Sequence, residues 1–282
     1  MLRLRFAAEY IKEVSEYRNN IYLIQNGELE KIELDQWGAG EYKVTKELKD
    51  NMILYIPFAT YSTIEKAIVF TRYAKKQNKS INKTYIGYIA YGRQERETDN
   101  EPELLSPFIN LIKSNLTCCE FIEPHKVTWE TCSQVSVLDY FNKLLNRNNH
   151  LVKVVAPDKG AAAKYRTLNI ETDIVIDKKR VNGKVYSQIG INKISHNENE
   201  KPFEFHILDD ICDGGRTFTN IAKLLKSEYP HSKVYLHVAH CIIPFGVYEI
   251  QLNGIDGIYC LDTCLPKGEH ENGFVKAVSI NF

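Results

Sequence analysis

Asp209 and Asp210 close an apolar run, Phe205–Leu208, and Asp213-Gly214-Gly215-Arg216-Thr217 follows almost at once. Two adjacent carboxylates at a strand end can accept hydrogen bonds from the vicinal hydroxyls of a ribose, or hold a metal. The glycines let the backbone approach an anion closely. Thr217 is expected to open an amphipathic helix, so the N–H groups of the turn and of the helix start form an anion site suited to a 5-phosphate. The pattern therefore points to a ribose phosphate. It also suits an ordinary strand–turn–helix with acids at a solvated end, because short glycine-containing motifs recur by chance.

Other segments bear on that choice. Val154-Val155-Ala156-Pro157-Asp158-Lys159-Gly160-Ala161-Ala162 ends an expected strand at Pro-Asp, where Asp158 can serve Mg²⁺ as a hard oxygen ligand or simply shape a turn. Tyr88-Ile89-Ala90-Tyr91-Gly92-Arg93-Gln94-Glu95-Arg96 also follows a strand. There Arg93 and Arg96 can grip phosphate and Gln94 can read an adenine edge, or the run is a charged helix start. Phe121-Ile122-Glu123-Pro124-His125 ends in an acid and a histidine at what would be the ligand-binding edge of an open sheet. A lone histidine is more commonly structural. Ile176-Asp177-Lys178-Lys179-Arg180 reads either as a solvated basic face or as a mobile loop bringing Lys178 and Arg180 onto a polyphosphate.

The elements that must position these residues alternate along the chain. Strands are expected at Met52–Phe58, Lys83–Ala90, Cys119–Ile122, Val152–Ala156, Thr172–Ile176, Phe205–Leu208, Val234–Ala239 and Gly257–Leu261. Helical spacing of apolar residues marks Ser62–Lys76, Leu104–Asn115, Val135–Leu145 and Phe218–Glu228. Such alternation predicts an α/β protein built from βαβ units with parallel sheets. The polar break Asn146–His150 is read as a boundary between domains spanning 1–146 and 147–282, and Asn192–Lys201 as a surface loop.

A chain of 282 residues with formal net charge +0 gives no global electrostatic case for nucleic acid or an anionic membrane. No apolar run approaches the roughly 20 residues of a membrane span. The N-terminus lacks the pattern of a signal peptide, and seven cysteines, an odd number, suggest reduced thiols and a cytoplasmic location. Cys118-Cys119 and Cys260-x3-Cys264 lack a second pair at zinc-site spacing and are read as structural. No Walker-type phosphate loop, kinase catalytic loop or nucleophile elbow occurs.

Taken in order, these segments resemble the ribose-phosphate pyrophosphokinase (PRPP synthetase) family across roughly residues 37–265. The resemblance implies two phosphoribosyltransferase-like domains, each a mainly parallel sheet flanked by helices. It implies transfer of the β,γ-diphosphate of ATP to the anomeric hydroxyl of ribose 5-phosphate, with Mg²⁺, giving PRPP and AMP. By it, Trp37 and Glu41 would contact adenine, Arg93, Gln94 and Glu95 would bind ATP, and His125 and Asp158 would hold metal. Lys178 and Arg180, with His125, would be catalytic, and Asp209, Asp210, Asp213, Gly214, Gly215, Arg216 and Thr217 would hold the ribose phosphate. His240 and Asp262-Thr263 resemble later family segments. A homo-oligomer, dimer or hexamer, is implied as well.

The chain departs from the family in places. Ala39 stands where the family has the first adenine-contacting acid, and Glu95 where it has Asp. The phosphate loop reads Asp-Gly-Gly-Arg-Thr rather than Asp-Thr-Gly-Gly-Thr, and the family's final helix has no counterpart before Phe282. Arg216 would either point outward or serve a larger anion. Some phage-encoded relatives transfer the diphosphate to the ribose 5-phosphate end of ADP-ribose in NAD⁺ salvage, which an arginine there would suit. The competing readings are a phosphoribosyltransferase that consumes PRPP, and a non-catalytic regulatory subunit.

Overall fold

The computed structural model describes residues 2–45, 47–98, 100–125, 133–181, 184–189, 202–242 and 247–279, with side chains from Tyr10 onward except at 133, 178–181 and 184–189. Cys132 and the polar segment 192–201 lie outside the described residues. The chain forms two compact units: Met1–Val135 with Thr263–Pro266 and Ile280–Phe282, and Ser136–Asp262 with Lys267–Ser279. The polar break at Asn146–His150 falls inside the second unit.

In chain order the first unit contains α1 (Leu2–Arg18), β1 (Tyr22–Gln25), β2 (Glu28–Lys31), β3 (Asp35–Gln36), β4 (Tyr42–Lys43), β5 (Met52–Ala59), α2 (Tyr61–Lys76), β6 (Ile81–Ile89), α3 (Leu105–Asn115), β7 (Cys119–Ile122) and β8 (Ser133–Val135). Its main sheet has the order β2-β1-β5-β6-β7-β8. The β5–β6, β6–β7 and β7–β8 pairings are parallel, and β1 joins both neighbours antiparallel. Helix α2 begins where Thr60 and Thr63 exchange side-chain and backbone hydrogen bonds in a capping box. Ile64, Ala67 and Phe70 of α2 then pack with Phe108 and Ile112 of α3 over Leu54, Ile56, Ile86 and Phe121, all fully buried. At Gly87 a Cβ would lie 2.2 Å from the Pro57 carbonyl oxygen, so only glycine lets β6 pass β5 at that point.

The second unit contains α4 (Leu138–Leu144), β9 (Val152–Ala156), α5 (Lys159–Thr167), β10 (Ile174–Val181), β11 (Lys184–Ile189), β12 (Glu204–Cys212), α6 (Arg216–Glu228), β13 (Lys233–Cys241), α7 (Val247–Leu252), β14 (Gly257–Leu261), β15 (Gly268–His270) and β16 (Val275–Val278). Its sheet has the order β11-β10-β9-β12-β13-β14-β16-β15 and is parallel except for the hairpins at its two edges. The central strands are apolar runs, as a sheet covered on both faces requires. Val154, Val155, Ile207, Leu236 and Ile258 are fully buried, and Ile221, Ala222 and Leu225 of α6 meet the sheet at helical spacing.

Three boundaries differ from the sequence reading. Residues 133–135 pair with β7 as β8, so the helix expected from Val135 begins at Leu138. Strand β12 runs past the Asp pair to Cys212 because β13 ladders it that far. The basic run Lys178–Arg180 is part of β10, paired with β11, rather than a loop after a strand. Among the described residues, no helix is long and apolar enough to cross a membrane.

Candidate active site

Parallel strands deliver their C-terminal ends to one edge, where open α/β sheets bind ligands. In the second unit that edge receives Asp158 after β9, Asp209 and Asp210 near the end of β12, His240 near the end of β13 and Asp262 after β14. Asp158 is the N-cap of α5 and accepts the Ala161 N–H at 2.9 Å. The Asp210 amide donates to the Asp209 carboxylate at 2.9 Å. Burial, then the charges of Asp210 and Asp158, push the Asp209 carboxyl up to about 8, far above the usual carboxylate range. The three acids therefore form one electrostatic group.

Beyond them the chain turns at exposed Asp213 and Gly214 and reaches Gly215, which caps α6 with φ +66. That left-handed geometry favours glycine, which brings no capping side chain of its own to this helix end. A helix start of this kind presents its first-turn amides toward the turn, where an anion can be received. The helix begins at Arg216, one residue before the expected Thr217, and both side chains are exposed at its mouth. Deeper in, His240 is buried opposite Ile211, and Asp262 is buried and accepts from the Ser279 hydroxyl at 2.6 Å. Lys178 and Arg180 stand on β10 opposite Ser187 and Val185, and their side chains lie outside the described residues.

One participant was missed by the sequence reading. Tyr165 of α5 is fully buried, and its hydroxyl donates to the Leu208 carbonyl, immediately before Asp209. Burial first, then Asp209 and Asp158, hold its own proton on well above the ordinary phenol range. A lone aromatic among the small and basic residues of this short helix was the available signal.

In the first unit, Arg93, Gln94 and Glu95 follow β6, and Glu123 and His125 follow its parallel neighbour β7, so both groups emerge at one edge. The Gln94 carbonyl accepts from the Leu104 and Leu105 amides at 3.2 and 3.3 Å, which ties the segment to the start of α3. The Gln94 side-chain Oε1 is buried without a hydrogen-bond partner. Arg93 is exposed, and Glu95 lies 3.9 Å from Arg96. Glu123 is buried with φ +40, a conformation that non-glycine residues seldom adopt, and it turns the chain toward partly buried His125. Trp37 and Glu41 sit on the β3–β4 turn, held by the Trp37 N–H to Glu41 carbonyl bond at 2.8 Å. The indole is 61% exposed with the Lys43 ammonium 5.0 Å from its centre, leaving a broad aromatic face available.

No known protein-family profile matches the chain. In sequence it is similar to a ribose-phosphate pyrophosphokinase of Mycoplasmopsis pulmonis, 22% identical over 202 residues, which covers 67% of this chain. The match spans 61% of that relative's length. In fold it is similar to the crystal structure of phosphoribosylpyrophosphate synthetase from Mycobacterium smegmatis, with a TM-score of 0.62 and 13% identity, covering 97% of this chain and 91% of that one. The chain therefore has the fold of a phosphoribosylpyrophosphate synthetase, and its sequence resembles the ribose-phosphate pyrophosphokinase family.

Proposed function

We propose that the protein is a Mg²⁺-dependent diphosphotransferase that moves the β,γ-diphosphate of ATP to the anomeric hydroxyl of a ribose 5-phosphate group, releasing AMP. The observation that carries this reading is the joining of the Asp209-Asp210 pair to the glycine-led N-terminus of α6 by one short turn. The carboxylates suit vicinal ribose hydroxyls, and the amides of 214–217 suit the 5-phosphate. The unpartnered Gln94 Oε1 suits the exocyclic amino group of adenine, and exposed Trp37 suits its face.

In the reaction, the ribose is held so that its anomeric oxygen faces the β-phosphorus of ATP in line. The anomeric hydroxyl gives up its proton to solvent, a bond forms from its oxygen to the β-phosphorus, and the bond from that phosphorus to the α,β-bridging oxygen breaks, with AMP leaving. Rate enhancement comes from positioning and from positive charge, for which Lys178 and Arg180 are the assigned source. Among the described residues, no three His, Cys, Asp or Glu side chains gather as a metal cage. Mg²⁺ characteristically takes one or two carboxylates and completes its shell with water and substrate phosphates. By the family resemblance His125 is assigned to one metal site, with ATP, and Asp158 to a second, and Mg²⁺ at either would neutralise phosphate charge. By the family resemblance we assign the enzyme a homo-oligomeric state, and by its odd number of cysteines a cytoplasmic location.

Arg216 favours a second acceptor. An exposed arginine at the first position of α6 adds a cation beside the 5-phosphate site, which suits the diphosphate of ADP-ribose better than a lone monophosphate. The test is AMP release from ATP and Mg²⁺ with ribose 5-phosphate or ADP-ribose, followed by mass spectrometry. AMP with PRPP supports the first acceptor, and AMP with a diphosphate adduct of ADP-ribose the second. AMP from neither overturns the proposal and returns the chain to a PRPP-consuming or regulatory role.

A further inference from the structure

We infer that Tyr165 is a positioning residue for acceptor binding, replacing a backbone donor that Pro157 cannot supply. The inference follows from the register of β9 and β12. Val154 exchanges hydrogen bonds with Asp173 at the start of β10, donating its N–H to the Asp173 carboxylate at 2.8 Å and accepting the Asp173 amide at 3.0 Å. Successive residues of a strand turn their peptide groups to opposite neighbours, so Val155 and residue 157 face β12. Val155 lies opposite Ile207, between His206 and Leu208. The next donor along β9 for the Leu208 carbonyl is therefore the amide of residue 157. That residue is proline and has no N–H.

The ladder between β9 and β12 accordingly stops at Ile207, while β13 continues to pair with β12 as far as Cys212. Without a substitute, the Leu208 carbonyl would be buried and unpaired beside Asp209, since Leu208 and Tyr165 are both fully buried. The Tyr165 hydroxyl, carried back over β12 by α5, donates to it. This arrangement releases the β9 side of β12 where Asp209 and Asp210 must meet a ligand, yet holds the backbone of that strand end still. Tyr165 touches no reacting group in this scheme. It acts through the placement of the two carboxylates.

The kinetic arm rests on the proposed diphosphotransfer; the backbone arm does not. Tyr165→Phe keeps the ring and removes the donor, and Pro157→Ala returns an amide at the missing ladder position. In Tyr165→Phe, KM for the accepted ribose phosphate should rise about tenfold, with KM for ATP unchanged within about twofold. Hydrogen exchange measured by mass spectrometry on peptides covering 206–212 should accelerate in the same variant. The double variant Pro157→Ala/Tyr165→Phe should restore both readouts, which loss of ordinary packing would not. An unchanged acceptor KM, a parallel rise in both KM values, or no recovery in the double variant would overturn the inference. If the unaltered protein releases no AMP with either acceptor, diphosphotransfer fails, and exchange in the two variants still decides the role of Tyr165.

Discussion

Asp209 shows how a binding residue can work against the fold that carries it. Its carboxyl is raised to about 8 by burial and by the charges of Asp210 and Asp158. The folded value lies above the unfolded value of about 3.9, so the stability that the protonated form supplies is fully present below about pH 4. It is lost as pH rises through 8. Asp209→Asn removes the ionisation while keeping the shape. In chelator at pH 7.5 this variant should melt several degrees above the parent, and the gap should close near pH 4. It should also lose acceptor-dependent AMP release. Equal melting temperatures at pH 7.5 would show that the acid cluster imposes no strain. The identity of these acids was legible in the sequence, because a strand end followed by glycines is a local pattern. Their shared electrostatics was not, because Asp158 reaches Asp209 through the β9–β12 pairing.

Strands β12 and β13 carry a second buried polar pair below the site. His206 Nδ1 and His237 Nε2 lie 2.9 Å apart, with His206 stacked on Tyr235 and His237 on Tyr259. Phe141 of α4 packs against the His237 ring. His237 Nδ1 is buried without a partner. An unpaired acceptor there costs less than an unpaired donor, so the favoured tautomer has His237 Nε2–H donating to His206. Burial and then nearby Arg147 push the His206 imidazole down to about 4, and burial and then His206 push that of His237 down to about 3. Both folded values lie below the unfolded value of about 6.5, so the pair supports the fold above that pH. That support is lost as pH falls toward 4 and then 3. The expected loss between pH 6.5 and 4.5 is roughly 2–4 kcal/mol. Replacing both histidines by Phe should flatten that part of a denaturation-versus-pH curve, and an unaltered slope would sink the assignment. The β1–β2 hairpin is a lesson of another kind. Its Asn26-Gly27 turn, with φ +52 and +78, is a strong hairpin signal that the reading of alternating strands and helices passed over.

The two compact units are not two consecutive stretches of chain. Thr263–Pro266, far along the sequence, belongs with residues 1–135. Within that unit the Arg18 Nε–H donates to the Cys264 carbonyl at 2.7 Å, and the Thr263 Cβ closes on the space over Gly87. A fragment ending at Val135 therefore leaves Arg18 without this acceptor and Gly87 uncovered. Compared by hydrogen exchange with the whole chain, such a fragment should lose protection in α1, β5 and β6. Protection equal to that of the whole chain would show that the returning segment contributes nothing to the first unit.

The sequence by itself determined the α/β character, most central strands, and the strand-end residues from which a ribose-phosphate chemistry is proposed. All of these are written in local periodicity and in short runs of residue types. The tertiary structure decided which distant residues answer one another. It brought Tyr165 to Leu208, set Asp158 against Asp209, and returned Thr263–Pro266 to the first unit. Such relations depend on register and on chain crossings, and neither leaves a trace in the spacing of neighbouring residues.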